Sequence, residues 1–158
     1  MPNRPTTLAA LTAGVLIAGL AVSVAPLGAV TPTVRAARNA TLNRTIVVSA
    51  TGRSLYHRIG EHARHVLCGS ACTRVWPPLT VASASTPLVR GTGVTGALGK
   101  FRRPDGRWQV TLRGLPLYRF AGDHVAGQVH GQGVGRIWFA VSAGTRSSAP
   151  PTSSPPGY

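Results

Sequence analysis

Apolar and polar residues divide this chain of 158 residues into segments with different patterns. A continuous apolar run extends from Leu8 to Val24, and the last residues are Ser/Pro-rich with almost no apolar content. Between these ends, short runs of β-branched and aromatic residues alternate with loops rich in Gly and Pro. After residue 40, no segment keeps the apolar period of a helix for more than about two turns. The pattern therefore predicts a mainly β domain between the two ends.

Two of the β-rich runs predict the same local structure. The first is TIVVSATGRSLYHR, residues 45–58, and the second is RWQVTLRGLPLYRF, residues 107–120. In each run, β-branched and aromatic residues flank a glycine, which is typical of a strand, a glycine turn and a second strand. A Gly-rich loop follows each run, and we expect a short strand that ends near the next tryptophan.

The two runs begin the copies of an internal repeat. Residues 52–76 align with residues 114–138 without a gap, so every aligned pair is 62 positions apart. Identity at eight of the 25 aligned positions favours duplication over chance. The identical pairs are Gly52/Gly114, Leu55/Leu117, Tyr56/Tyr118, Gly60/Gly122, His62/His124, Gly69/Gly131, Arg74/Arg136 and Trp76/Trp138.

The repeat predicts a small single domain of two pseudo-symmetric antiparallel β repeats with Gly-rich loops, at about residues 46–76 and 108–138. The turn signal PDG, residues 104–106, precedes the second copy, because Pro presets φ and Gly accepts positive φ. The identical placement of aromatic residues in both copies favours core packing over an exposed, sugar-binding aromatic surface. The expected core anchors are Leu55, Tyr56, Trp76, Leu117, Tyr118 and Trp138.

The N-terminal segment has the layout of a secretory signal peptide, since Arg4 precedes the apolar run and small residues follow it. We assign residues 1–36 to the signal and prefer cleavage after Ala36 to cleavage after Ala29. The alternative is an uncleaved membrane anchor formed by residues 8–24, a length at the lower limit for a spanning helix. Both interpretations predict a secreted or extracytoplasmic protein.

Composition predicts the remaining boundaries. Residues 37–43 are expected to be a linker, and residues 44–143 to form the two-copy domain. Residues 144–158 are predicted to be a disordered tail, because a Ser/Pro-rich stretch buries too little apolar surface to offset the entropy lost on ordering.

Charge adds a prediction about partners. The chain has 17 basic and 3 acidic residues, a net charge of +14, and loss of Arg4 and Arg35 with the signal leaves +12. The arginines are scattered, and FRRPDGR, residues 101–107, is the one cluster. Because an exported protein meets envelope material, we predict contacts with anionic envelope polymer or lipid headgroups and none with nucleic acid. An arginine-rich coding bias is the alternative explanation.

The second copy and the cysteine loop resemble a known family. CGSACTRVWPPL, then RPDGRWQVTLRGLPLYRFAGD, then GQG and a tryptophan resemble the bacterial secreted repeat of unknown function, described as predicted lipoproteins with a Tyr-x-(Phe/Trp/Tyr)-x-x-Asp motif. Tyr118, Phe120 and Asp123 fit the motif. The first copy departs from it, because it keeps Tyr56 but has Glu61 at the aspartate position.

The resemblance covers roughly residues 52–138 and implies an exported two-copy domain without a defined activity. Gly131 and Gly133, in the loop GQG, are assigned structural roles together with the two tryptophans. The family's lipid-attachment cysteine is missing, because no cysteine follows the apolar run before Cys68.

The two cysteines, Cys68 and Cys72, occur in the first copy alone, opposite His130 and Val134 of the second. In an oxidising compartment a disulfide is the favoured interpretation, and its five-residue loop gives only about 2 kcal/mol of stabilisation. A redox-active pair and a metal site are the alternatives. The metal alternative combines nitrogen and sulfur ligands from His57, His62, His65, Cys68 and Cys72.

Catalytic chemistry has few candidates. The acidic residues are Glu61, Asp105 and Asp123, and the chain lacks the nucleophile-elbow, zinc-protease and phosphate-binding motifs. A glycosidase-like pair of Glu61 and Asp123 is the hydrolase alternative. The favoured interpretation is that each carboxylate accepts backbone N–H bonds within its own loop.

We therefore predict a non-enzymatic, exported binding or structural module of the cell envelope, with no catalytic residues and no cofactor. The alternative is an extracytoplasmic protein that handles metal or redox equivalents. The sequence leaves the ligand and the oligomeric state open.

Overall fold

The structure of the protein is a computed structural model, which describes residue 31 and residues 33–144. Nearly all of the predicted signal segment and tail lies outside the described residues. The eight strands of the described part are β1 (Val34–Asn39), β2 (Arg44–Ser49), β3 (Tyr56–Arg58), β4 (Thr80–Val81), β5 (Leu98–Arg102), β6 (Trp108–Leu112), β7 (Leu115–Pro116) and β8 (Trp138–Ala140). One α-helix, α1 (Ser70–Val75), and a 3-10 helix, Val134–Arg136, accompany them. The mainly β prediction is confirmed.

The strands pair into three small antiparallel sheets. β1 pairs with β2, and β3 pairs with β8. In the third sheet β6 is central and pairs with β4, β5 and β7. β3 lies in the first predicted copy and β8 begins at Trp138, the last residue of the second, and their pairing sets Tyr56 opposite Ala140. This sheet therefore links the two predicted copies.

Turn chemistry explains where the hairpins close. In the β5–β6 turn, Gly106 has a φ of 82°, and Oδ1 of Asp105 accepts the backbone N–H of Arg107 at 3.1 Å. Arg113 and Gly114 join β6 to β7 with φ values of 53° and 76°, and positive φ at both positions is typical of a two-residue hairpin. Both β-rich runs turn at their glycine, as the sequence predicts.

Two clusters of buried side chains form the core. One is aliphatic and includes Val47, Leu55 and Leu117, and the other gathers the aromatic side chains around Ile46 and Val48 of β2. β2 contributes to both clusters because its alternate side chains point to opposite faces. The six predicted anchors are all buried, with at most 4% of their surface exposed: Leu55, Tyr56, Trp76, Leu117, Tyr118 and Trp138.

The predicted linker is wrong for residues 37–39. These residues lie in β1, which pairs with β2 from Val34 opposite Ser49 to Asn39 opposite Arg44. The polar sequence VRAARN does not predict a strand, because its outward side chains are exposed arginines while Val34 and Asn39 are buried. The preferred cleavage site after Ala36 therefore falls inside β1.

The predicted strand before each tryptophan is also wrong. α1 ends directly before Trp76, and the 3-10 helix precedes Trp138, which begins β8. The backbone N–H of Trp76 donates to the carbonyl oxygen of Cys72 at 2.8 Å, so this segment satisfies its polar groups locally. Within residues 33–144, no helix has the length and hydropathy needed to cross a bilayer.

Candidate functional site

Two tyrosine–carboxylate pairs cross at the centre of the molecule. The hydroxyl of Tyr56 donates to Oδ2 of Asp123 at 2.6 Å, and the hydroxyl of Tyr118 donates to Oε2 of Glu61 at 2.7 Å. The backbone N–H of each tyrosine also donates to the carbonyl oxygen of the other, at 2.8 and 2.9 Å. All four residues are buried. The tyrosine of each predicted copy therefore binds the carboxylate of the other.

Each carboxylate also closes a loop of its own predicted copy. Oε1 of Glu61 accepts the backbone N–H groups of Leu67 and Cys68 at 2.7 and 2.6 Å. Oδ1 of Asp123 accepts the N–H of His130, the residue aligned with Cys68, at 2.9 Å. Because both oxygens of each carboxylate accept hydrogen bonds inside the protein, the geometry fits loop closure better than the hydrolase alternative.

The four central aromatic rings pack against one another. Trp76 and Trp138 stack face to face, with ring centroids 3.9 Å apart and 4° between their planes. Tyr56 meets Trp76 edge to face at 5.5 Å, and Tyr118 meets Trp138 in the same way at 5.1 Å. Phe120, the middle residue of the motif, lies 4.6 Å from Trp76. The four central rings are buried, so the alternative of an exposed sugar-binding surface made of them is wrong.

Burial keeps both phenol groups protonated over the physiological range. Burial, followed by the hydrogen bond to Glu61, raises the pKa of Tyr118 to about 12. Burial and the hydrogen bond to Asp123 also raise the pKa of Tyr56. Each tyrosine therefore remains a hydrogen-bond donor to its carboxylate at any pH that the protein meets in ordinary conditions.

The loop GQG passes close to the aromatic centre. A Cβ atom on Gly131 would lie 2.9 Å from ring atoms of both Trp76 and Tyr56, which is closer than carbon atoms approach without a shift. Gly133 has a φ of 78°, in the left-handed region that favours glycine. The loop sequence is thus restricted by contact at one glycine and by backbone conformation at the other.

Arg103 is buried rather than part of a surface cluster, which the sequence did not predict. Its guanidinium donates to the carbonyl oxygen of Cys68 at 2.7 Å, to the hydroxyl of Tyr118 at 3.3 Å and to Oε1 of Gln109. Its Nε lies 3.3 Å from Oδ2 of Asp105. This side chain therefore joins the β5–β6 turn to the disulfide loop.

Gln109 is a second buried polar residue beside this centre that the sequence did not predict. Its amide Nε2 donates to the carbonyl oxygen of Leu117 at 2.9 Å, and its Oε1 accepts from Arg103. A signal was present, because Gln109 is a polar residue in the middle of the strand sequence WQVTL, whose other members are apolar or β-branched. A buried amide inside a strand requires a partner.

All three acidic side chains lie in the described part of the chain, and each has hydrogen-bond or ion-pair partners there. Glu61 and Asp123 are buried in the centre, and Asp105 is held by Arg107 at 2.7 Å and by Arg103 at 3.3 Å. The hydrogen bond from Arg107 lowers the pKa of Asp105 to about 2. Many arginines are exposed without a carboxylate beside them: Arg35, Arg38, Arg64, Arg74, Arg90, Arg102, Arg119 and Arg136.

Cys68 and Cys72 form a disulfide, as predicted. Both sulfur atoms of the metal alternative are therefore engaged. The rings of His62 and His65 lie 5.4 Å apart, whereas His57, on β3, packs 6.4 Å from the ring of Phe139. Across the described residues, no three His, Cys, Asp or Glu side chains are grouped as metal ligands. The five proposed ligands thus do not form one set.

Together, the fold and site define a small, disulfide-linked, mainly β module with a buried tyrosine–carboxylate centre and a basic surface. The family model described as a secreted repeat of unknown function, Lipoprotein_15, matches residues 99–142. The matched segment runs from β5 to just beyond β8 and contains Tyr118, Phe120 and Asp123, so the predicted resemblance is confirmed there. Comparison with curated proteins and with solved structures gives no match. The family description is consistent with an exported module.

Proposed function

We propose that this protein is an exported, non-enzymatic module of two related β copies, which associates with anionic envelope material through its arginines. The observation that supports this proposal most strongly is the excess of positive charge on the surface. Two of its three acidic side chains are buried as structural acceptors, and the third is paired with two arginines. The exposed arginines therefore produce a long-range positive field that no free carboxylate offsets.

Matching hydrogen bonds support the relation between the two copies. The N–H of Val141 donates to the carbonyl of Leu55, and that of Leu79 donates to the carbonyl of Leu117, both at 2.9 Å. The donors and the acceptors are each 62 positions apart, the offset of the sequence repeat.

A second pair of hydrogen bonds is related by the same offset of 62 positions. The N–H of Ile59 donates to the carbonyl of Ile137, and that of Ala121 donates to the carbonyl of Val75, both at 2.8 Å. With the crossed tyrosine–carboxylate pairs, these bonds favour a common origin of the copies over chance similarity.

A structural role for the carboxylates supports the non-enzymatic part of the proposal. A general acid or base must reach substrate, whereas Glu61 and Asp123 are 3% and 1% exposed and bind tyrosine hydroxyl and backbone N–H groups. Asp105 is committed to its turn and to Arg107. None of the three is free for proton transfer.

The proposal is tested by co-sedimentation of the purified mature protein with isolated envelope, before and after extraction of the anionic polymers. We expect binding at low salt, loss of binding after extraction, and release as salt rises, because exposed charges are screened beyond about 8 Å at physiological ionic strength. Binding that resists both extraction and high salt would contradict the proposal.

A further inference from the structure

An open groove lies between two loops on the basic surface. One wall is residues 63–66, which follow the buried Glu61, and the other is residues 101–104 with Gly106, from β5 and its turn. The groove has a volume of about 670 Å³. Its first wall belongs to the first predicted copy and its second wall to the segment that leads into the second copy, so the groove exists only when these two parts of the chain are packed together.

Three sets of hydrogen bonds hold the first wall in place. The bonds from Leu67 and Cys68 to Glu61 close the loop, and His62 and His65 exchange backbone hydrogen bonds at 3.1 and 2.9 Å within it. The backbone N–H of Ala63 also donates to the carbonyl oxygen of Gly114 at 3.1 Å. The loop is thus held in shape before any ligand arrives, which lowers the entropy lost on binding.

Arginine and histidine side chains line the walls. Arg64 and His65 are exposed on the first wall and Arg102 on the second, while buried Arg103 joins the walls through its bond to the Cys68 carbonyl. Asp105, the nearby carboxylate, is neutralised by Arg107 and Arg103. The groove therefore offers guanidinium donors from opposite sides to an anion.

A second groove, of about 480 Å³, provides an internal comparison. It lies between residues 38–41 and residues 126–130. Arg38 lies near the end of β1 as Arg102 lies at the end of β5, each in the strand that enters a hairpin turn. At the 62-residue offset, however, Ala126 and Gly127 stand where the first groove has Arg64 and His65.

We propose that the first groove is a binding site for the phosphate groups of a linear anionic polymer, and that the second groove is not. This inference rests on the proposed function and assigns its ligand contacts to Arg64, His65 and Arg102. A tetrahedral phosphate presents oxygens in several directions and can contact both walls, whereas a planar carboxylate presents one edge. Guanidinium groups match phosphate oxygens with paired hydrogen bonds.

An extended polymer fits this groove better than a membrane surface. The groove is recessed between loops, and the large exposed apolar side chains that would insert into lipid are not among the residues that line it. Those apolar side chains are Ile59, Leu67, Val75, Val125 and Val134.

The test measures binding of end-labelled long-chain polyphosphate to the mature protein by fluorescence anisotropy. The groove variant is R64Q/R102Q, and the charge-matched control is R38Q/R136Q, which removes two exposed arginines elsewhere, including that of the second groove. We expect the groove variant to lose about tenfold or more in affinity, because the loss of even one charge-assisted contact is worth about tenfold. The control should lose about threefold or less, and both variants should keep the wild-type melting temperature.

Two further probes define the ligand class. With polyglutamate of similar length, the groove variant and the control should lose similar affinity, because carboxylates do not bridge the walls. With phosphatidylglycerol vesicles, the two variants should again lose similar affinity. A groove-specific loss on vesicles would assign the groove to lipid headgroups and overturn the polymer proposal.

The outcomes separate this inference from the proposed function. If both variants lose equal affinity for polyphosphate, the groove site is overturned while charge-driven association with the envelope stands. If the wild-type protein binds polyphosphate without any effect of either variant, the groove site is overturned too. Failure of the wild-type protein to bind isolated envelope would instead reject the proposed function.

Discussion

Glu61 and Asp123 each connect the two predicted copies through one side chain. Glu61 accepts hydrogen bonds from Tyr118, Leu67 and Cys68, so Glu61→Ala leaves two buried donors, the Tyr118 hydroxyl and the Cys68 N–H, and one part-buried donor without an acceptor. We expect this variant to lose at least about 3 kcal/mol of the free energy of unfolding, since each bond to a charged group is worth about 1.5–3 kcal/mol. Chemical denaturation measures the loss.

Asp105→Ala is the matched control, because it removes the same charge from a partly exposed turn. Its loss should be smaller than that of Glu61→Ala, because the bond to Arg107 is a surface ion pair and buried Arg103 keeps its bonds to Cys68 and Gln109. Equal losses in the two variants would mean that the crossed pairs do not hold the centre together.

The raised pKa of Tyr118 predicts a loss of stability at alkaline pH. Its pKa is about 12 in the folded protein, against 10.0 for an ordinary tyrosine, so the folded state holds its proton more tightly. The resulting stability is fully present below pH 10 and is lost as pH rises through 12. Melting temperatures across this range should fall for the wild-type protein and fall less steeply for Tyr118→Phe.

The ionisation of the tyrosines, followed by tyrosinate absorbance, checks the same prediction. Ionisation of Tyr56 and Tyr118 near the ordinary tyrosine pKa, with the fold intact by circular dichroism, would contradict their burial beside carboxylates.

The sequence indicates the residues of this centre but not their partners. Alignment of the copies singles out Tyr56, Tyr118, Glu61 and Asp123, because equivalent positions keep equivalent chemistry. It does not show that each tyrosine binds the carboxylate of the other copy, since this depends on how the copies pack. The burial of Arg103 could not be predicted for the same reason, because it depends on loops distant in sequence.

At the scale of elements, the disulfide supports one loop of the first copy. Cys68 is buried and its backbone N–H donates a hydrogen bond to Glu61. The disulfide to Cys72 therefore ties this loop to α1. Reduction should lower the free energy of unfolding by about 2 kcal/mol, the value expected for a five-residue loop. Denaturation with and without a reductant measures this change.

Thiol alkylation of freshly exported protein checks the same bond directly. We expect no alkylation of Cys68 or Cys72 until the protein is reduced. Two free, reactive thiols in the exported protein would contradict the disulfide and reopen the redox alternative.

Elements with strong local signals were predictable, and those set by tertiary pairing were not. The PDG turn and the Gly114 hairpin follow from backbone preferences of Pro and Gly, and the structure has both. β1 was missed because its arginines give it a polar composition, although pairing with β2 makes it a strand. α1 was missed because its six residues are too few for a helical period.

At the scale of the whole molecule, the fold separates two kinds of charge. Carboxylates are used inside as acceptors or within a turn, and arginines other than Arg103 are left largely outside. Composition alone predicts a basic protein, but only the structure shows that no acidic side chain remains free to balance the surface. The proposed association with anionic envelope material depends on this separation.

The most direct test of this association is the affinity of the mature protein for isolated envelope as a function of salt, in a series of charge variants. Arg74, Arg119 and Arg136 are exposed arginines outside the proposed groove, and they are changed to glutamine one after another. We predict that affinity at low salt and its dependence on salt both decrease with each charge removed. Affinity that persists at high salt and is unchanged in the triple variant would contradict an association driven by the arginines.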